Sequence, residues 1–192
     1  MSAPSLQPMS VAEYLRTEES SPVKREYVGG YVYALHGATK AQAGTSGQHV
    51  EIGVNIVAAL HRAARAQGCR LYSSDMKLRL PYASNFYYPD VMLVCSAERP
   101  DSHYETAPCL LVEIISPSTA STDRLAKHAA YTAIPSLQTY LIVEQQERRV
   151  YVYQRGGSEW ELSEQVGSGD ILLPCVGQSL SLDDIYSGVL DS

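Results

Sequence analysis

The stretch "LLVEIIS" at residues 110–116 sets one glutamate, Glu113, between two pairs of strongly apolar residues. If its strand lies at a sheet edge, the carboxylate reaches water and has no special role. With Leu110, Leu111, Val112, Ile114 and Ile115 around it, however, the strand reads as central, where an unpaired carboxylate costs several kcal/mol. A buried Arg or Lys would answer that charge, and so would a divalent cation with oxygen ligands. The cost of burial favours a functional role for Glu113. Asp90, directly after Pro89 in "YYPDVMLV", interrupts an apolar strand in the same way. Alone it reads as a turn residue; on a strand beside Glu113 it would complete a pair of carboxylates, the donors that a magnesium ion takes. Asp123, Lys127 and Tyr131 follow at i, i+4 and i+8, so they share a helix face, while Leu125, Ala129 and Ala133 form another. The plain reading of that face is an Asp-to-Lys helix pair worth about 0.2–0.5 kcal/mol. Next to two acids and a metal, the Lys127 ammonium would instead orient a water and offset charge growing on a phosphate.

These residues need elements to hold them. Ser10 is a candidate N-cap for the helix "VAEYLRTEE", which the "SSP" of residues 20–22 ends. "KREYVGGYVYAL" predicts a hairpin turning at Gly29 and Gly30, and "HGATKAQAGTSGQ" a polar loop. From His49 to Ala66, apolar residues at 50, 54, 57, 60 and 64 predict a helix that Gly68 closes. Three runs, "CRLYSSDMKLRLP", "FYYPDVMLVCS" and "CLLVEIIS", predict three strands, the third buried on both faces. "SPSTAST" supplies breakers and hydroxyl caps, "DRLAKHAAYTA" a second helix, and "IPSLQTYLIVEQ" a strand after Pro135. The core order is therefore helix, three strands, helix, strand. A hairpin at Gly156 and Gly157 extends the sheet, and "SLSLDDIYSGVL" ends in a short helix. We expect one α/β domain over residues 1–192, loose over 1–9.

Composition narrows the possible functions. At 192 residues and 45% hydrophobic, the chain can bury one sizeable core. A net charge of -6 argues against a generally basic nucleic-acid coat and leaves a local groove open. Arg62, Arg65, Arg70, Lys77, Arg79, Arg124, Lys127 and His128 would line such a groove or form an ordinary solvated face. Cysteines 69, 95, 109 and 175 make no CxxC pair and follow no secretory peptide, so we expect them reduced in a cytoplasmic protein. The apolar runs fall short of the roughly 20 residues that cross a bilayer, so the expectation is a soluble, unprocessed chain with no membrane partner. Phosphate-loop, dinucleotide, HExxH and GxSxG motifs are absent, and the five histidines have no zinc spacing with the cysteines.

Taken together, "REYVGGYVY", "YYPDVMLVC" and "LLVEIISPSTASTDRLAKHAAYTAIPSLQTYLIVEQ" resemble the Uma-two family of restriction-endonuclease-like proteins, within the PD-(D/E)XK nuclease superfamily. The most specific portion is Ser116 to Thr119, Asp123, Lys127, Tyr131, Ile134 to Ser136 and Tyr140. The resemblance implies a restriction-endonuclease-like α-β-β-β-α-β core, here with an extra N-terminal hairpin and a C-terminal β-hairpin. It implies a magnesium- or manganese-dependent endonuclease acting on DNA, with a homodimer as the analogous assembly. By position, Asp90 matches the PD aspartate and Glu113 the acid of the second element, both as metal ligands, with the backbone carbonyl of Ile114 as a further ligand. Two residues after Glu113 the superfamily has its lysine; this chain has Ile115, and Lys127 on the following helix is the implied replacement. Glu26 matches another acidic position of the family, and Glu51 and His49 lie on the first long helix, where related nucleases place an acid and a histidine. A solvated charge at Glu26 or Glu51, and a capping role for His49, stand beside those roles. The missing lysine and the net acidity also leave open a nuclease-like scaffold that binds a nucleic acid or protein without cutting.

Overall fold

A computed structural model describes residues 8–35, 46–115 and 122–190, with backbone alone over 122–126. The expectations for the extreme N-terminus, for most of the loop after residue 35, for "SPSTAST" and for the side chain of Asp123 lie outside the described residues. The chain runs α1 (Val11–Glu18), β1 (Arg25–Val28), β2 (Tyr31–Ala34), α2 (Gly47–Ala66), β3 (Arg70–Ser73), β4 (Lys77–Arg79) and β5 (Phe86–Tyr87). It continues through β6 (Val91–Val94), β7 (Tyr104–Glu105), β8 (Leu110–Ile115), α3 (Thr122–Thr132) and β9 (Thr139–Glu144). The C-terminal part holds β10 (Arg149–Gly156), β11 (Glu159–Val166), β12 (Asp170–Leu173), β13 (Gln178–Ser181) and α4 (Leu182–Tyr186).

The expected core is present as α2, β3, β6, β8, α3 and β9. Its six-stranded sheet has the order β11-β10-β9-β8-β6-β3, with β8 parallel to β9 and antiparallel to β6. Two of the three expected strands are each divided. "CRLYSSDMKLRLP" breaks at Ser74 and Asp75 into β3 and β4, and "FYYPDVMLVCS" breaks at Tyr88–Pro89–Asp90 into β5 and β6. In each run one half stays in the main sheet, and the other joins the five-stranded sheet β2-β1-β5-β4-β7. Pro89 cannot donate to a ladder, which makes the second break intelligible. A further hairpin, β12 with β13, was not anticipated. Met9 is tied down, since its amide donates to the Gly30 carbonyl and its carbonyl accepts from the Tyr27 hydroxyl.

Strand alternation assigns every core side chain to one of two layers. Leu110, Val112 and Ile114 of β8 pack with Val91 and Leu93 of β6 against α2 and α4. Leu111 of β8, Met92 and Val94 of β6, and Tyr140 and Ile142 of β9 pack on the opposite layer with Tyr131 of α3 and Leu78 and Tyr87 of the second sheet. A smaller aromatic group, Tyr14, Tyr27 and Phe86, seats α1 on the N-terminal hairpin.

Helix α2 begins where Ser46 caps the His49 amide and ends before Gly68, whose φ of +69° suits glycine. Its buried row is Ile52, Ile56, Leu60 and Ala64, so Leu60 and Ala64 of the expected row face the core with Val57 packed beside them, whereas the row begun by Val50 and Val54 turns away, those two being 53% and 60% exposed. Residues two apart lie about 200° round a helix, so only one of these rows can face the sheet. The row with two isoleucines and a leucine, spaced by four, does so. Ile56→Ala is accordingly expected to cost about 2–5 kcal/mol in urea unfolding, whereas Val54→Glu stays within about 0.5 kcal/mol. A reversed order would place the core on the wrong face.

The cysteines depart from the expected reduced state, because Cys69 and Cys95 form a disulfide. The pairing Arg70↔Val94 between β3 and β6, extended by one residue, sets Cys69 opposite Cys95. That register joins sulfurs 26 residues apart in the chain.

Candidate active site

Alternation along β8 aims Glu113 at the same layer as Leu111, toward α3. There Tyr131 donates its hydroxyl to Glu113 Oε1 at 2.8 Å, and Lys127 Nζ lies 3.5 and 3.4 Å from the two carboxylate oxygens. Lys127 and Tyr131 are one helical turn apart and both buried, so the shared face read from the sequence is the face turned to Glu113. Glu113 itself is buried, as the apolar stretch around it implied.

Glu26 joins from the other sheet. Tyr27 points into the α1 aromatic group, so its neighbour Glu26 points the opposite way, where its Oε1 lies 3.2 Å from Lys127 Nζ and accepts weakly from the Tyr88 amide at 3.4 Å. The ammonium therefore spans two carboxylates supplied by two different sheets. Tyr87 adds a ring 6.0 Å from Lys127 Nζ and edge-on to Tyr131, and Tyr140 backs Tyr131 at 5.3 Å between ring centres. This aromatic packing fixes where α3 sits.

Asp90 precedes β6, and the pairing Val91↔Val112 carried one residue further sets it opposite Glu113. Its Oδ2 accepts from the Ile114 amide at 2.7 Å, and its Oδ1 is 3.0 Å from His49 Nε2. The expected metal ligand at Ile114 was its carbonyl; the contact described here is made by its amide, which ties Asp90 to β8. His49 thus works at the first turn of α2 as a partner of Asp90, not only as part of a cap. Glu51 is exposed on α2, as its solvated reading had it.

The electrostatics follow from this packing. Burial pushes the Glu113 carboxyl up to about 8; Lys127 opposes that, Asp90 and Glu26 reinforce it, and the Tyr131 hydrogen bond eases it. Tyr131 is held well above the ordinary phenol value by burial, then by Glu113. At Glu113 the combination of desolvation and neighbouring acids outweighs the ammonium, and a cation would relieve that imbalance. Among the described residues no three His, Cys, Asp or Glu side chains are arranged to hold an ion by themselves. The donors at hand are two carboxylates, with main-chain oxygen and solvent to complete a shell. That is how magnesium is usually bound, since it keeps several waters and takes one or two carboxylates.

The geometry accommodates the expected exchange of a lysine at 115 for Lys127. Ile115 lies two residues past Glu113 and so on the same side of β8, packed against the aromatic layer. Lys127, from the helix covering that side, brings its ammonium to the carboxylate that a lysine at 115 would have neighboured. Among the described residues the wider basic set is divided: Arg70 is committed to buried Glu105 at 2.8 Å, Arg79 lies over Tyr104 and Phe86, and Arg62 and Arg65 are exposed on α2. The pairing of Arg70 with Glu105 and the Glu26–Lys127 contact were beyond the sequence reading, because both join elements that are distant in the chain.

Comparisons with known proteins bear on the family and the fold. The model of a family named Uma2 and described as "Putative restriction endonuclease" matches residues 11–183. An uncharacterized Synechocystis sp. protein, slr1290, is 32% identical over 183 residues, covering 94% of this chain and 93% of that one. A second, sll1609, is 31% identical over 163 residues, covering 83% and 88%. A crystal structure from Anabaena variabilis, described as "a putative nuclease belonging to DUF820", superposes with a TM-score of 0.71 over 95% of this chain and 100% of that one, at 18% identity.

Proposed function

The chain belongs to the Uma2 family and has a restriction-endonuclease-like fold, and from that premise we propose that it is a magnesium-dependent endonuclease that hydrolyses phosphodiester bonds in DNA. The observation that carries the reading is the position of Lys127 Nζ, buried between Glu26 and Glu113 and not turned to solvent. DNA as substrate rests on the description of the family. The same reading places the protein in the cytoplasm, where DNA is accessible.

Asp90 and Glu113 would hold the ion, with the Ile114 carbonyl beside them; magnesium supplies Lewis acidity toward a phosphoryl oxygen and makes bound water more acidic. The chain's own residues prepare that place. His49 and the Ile114 amide engage the two oxygens of Asp90, which restricts the carboxylate to one orientation. Tyr131 holds Glu113 Oε1 in the same manner. Lys127 orients the attacking water and offsets the negative charge that builds on the phosphate as the new O–P bond forms and the bond to the leaving oxygen breaks. Glu26 holds the ammonium from a second sheet, which keeps Lys127 in place although buried.

The test is cleavage of supercoiled plasmid and of single-stranded DNA by the purified protein with magnesium or manganese, beside Asp90→Ala. Metal-dependent cutting that the variant lacks is the expected result. Equal cutting by both proteins would refute the assignment. No cutting of any substrate by the wild type would favour a scaffold that binds without hydrolysis.

A further inference from the structure

The four cysteines, at 69, 95, 109 and 175, converge on one place, at the opposite end of β6 from Asp90. Cys95 follows the last residue of β6, and Cys109 precedes β8 with its amide donating to the Leu93 carbonyl. Cys175 comes from the turn between β12 and β13, and its carbonyl lies 3.7 Å from Cys95 Sγ. Beside the Cys69–Cys95 disulfide, Cys109 Sγ sits 3.5 Å from Cys95 Sγ, and the Cys175 thiol is near enough to Cys109 to push the pKa of that thiol up. A disulfide sulfur carries no proton, so in the first of these contacts Cys109 is the only side that can bring one. Cys69 and Cys109 are buried, Cys175 is half-buried and Cys95 is exposed. A free thiol in contact with a disulfide sulfur is the arrangement from which thiol–disulfide exchange starts.

We propose that these four sulfurs are a thiol–disulfide exchange site in which Cys109 attacks Cys95 and moves the cross-link from Cys69–Cys95 to Cys95–Cys109. The Cys109–Cys95 bond forms, the Cys69–Cys95 bond breaks, and Cys69 leaves with the electron pair and takes a proton. The proton that Cys69 takes balances the one that Cys109 gives up, both exchanged with solvent. The count of disulfides is unchanged, so no oxidant or reductant enters. The Cys175 side chain and burial raise the Cys109 thiol above its ordinary value, so the attacking thiolate is scarce and the exchange is slow and quickens as pH rises. The two cross-links close loops of comparable length, with separations of 26 and 14 residues, so chain entropy does not strongly separate the isomers. Structurally, the shift frees β3, the edge strand of the main sheet, and ties β6 to the central strand β8. This inference concerns residues outside the candidate active site and stands without the nuclease reading.

The experiment uses the full chain purified without reductant and held at pH 8. It is then quenched in acid, alkylated with maleimide in denaturant, digested and mapped by mass spectrometry. Trypsin cuts between Cys69 and Cys95 at Arg70, and glutamyl endopeptidase cuts between Cys95 and Cys109 at Glu98 and Glu105. Both Cys69–Cys95 and Cys95–Cys109 peptides are expected from the wild type, with Cys109→Ser showing the first alone. A wild type that yields only Cys69–Cys95, with Cys109 always alkylated, would overturn the proposal. So would four alkylated thiols, which would mean that no disulfide exists to exchange.

Discussion

Lys127→Ala is expected to lower metal-dependent DNA cleavage by about 10²–10³-fold, the range seen when one preorganised charge-stabilising group is removed from an active site. The same change has a structural consequence. It takes the ammonium from between Glu26 and Glu113, both buried, and above about pH 8, where the Glu113 carboxyl is ionised, removing that partner costs about 3–5 kcal/mol because buried charge is left uncompensated. The two effects separate by pH. Protonating the acids removes the uncompensated charge, so the stability deficit shrinks as pH falls, while the cleavage defect persists at any pH where the variant is folded by circular dichroism. Lys127→Arg keeps a charge but spreads it over a planar group too large for the same gap, so partial stability without full activity is the expected pattern. If Lys127→Ala cuts as fast as the wild type once folding is verified, the residue is a structural partner of two acids and the water is oriented elsewhere.

How far the sequence revealed this site depends on the range of each interaction. Glu113 could be found because its apolar neighbours describe a strand buried on both faces, and the cost of burial demands a partner. Lys127 and Tyr131 could be found because four-residue spacing is a local property, and the helix does present them together to Glu113. Asp90 needed more, since its place opposite Glu113 follows from the register of β6 on β8. Glu26 needed most: it reaches Lys127 from a hairpin in another sheet, and only tertiary packing could distinguish it from Glu51, whose carboxylate is exposed. The cysteines show the same limit. Their spacing excluded a local motif, yet β3–β6 pairing and the β12–β13 turn bring all four together. In helix α2 the expected Leu60 and Ala64 do face the core, and the first half is turned, because Val50 and Val54 are as apolar as the isoleucines that face the sheet. Periodicity locates a stripe; side-chain volume and the shape of the sheet decide which stripe is buried.

In chelator, the stability of the wild type is expected to fall as pH rises from about 4.5 to about 8 on account of Glu113. Unfolded, this carboxyl ionises near 4.5; folded, it does so near 8. Between those values the folded chain holds one proton more than the unfolded chain, so removing protons from solution favours unfolding. The contribution is fully present below about 4.5 and is lost as pH climbs through about 8. Glu113→Gln should remove that slope. The amide is uncharged at every pH, has nearly the same shape, and can pair with the Tyr131 hydroxyl as acceptor or donor, while Lys127 keeps Glu26 as a partner. The variant should therefore match the wild type near pH 4.5 and be more stable at pH 8.5, by an amount on the order of a few kcal/mol, seen as a higher melting temperature. It should also cut no DNA and lose any rise in melting temperature that magnesium gives the wild type. The paired outcomes matter more than either alone. A side chain that destabilises the metal-free fold when ionised, yet is required for cleavage, is retained for what it binds. If instead Glu113→Gln lowers the melting temperature at pH 8.5, the Glu113–Lys127 attraction outweighs desolvation, and the carboxylate is part of what holds α3 against the sheet.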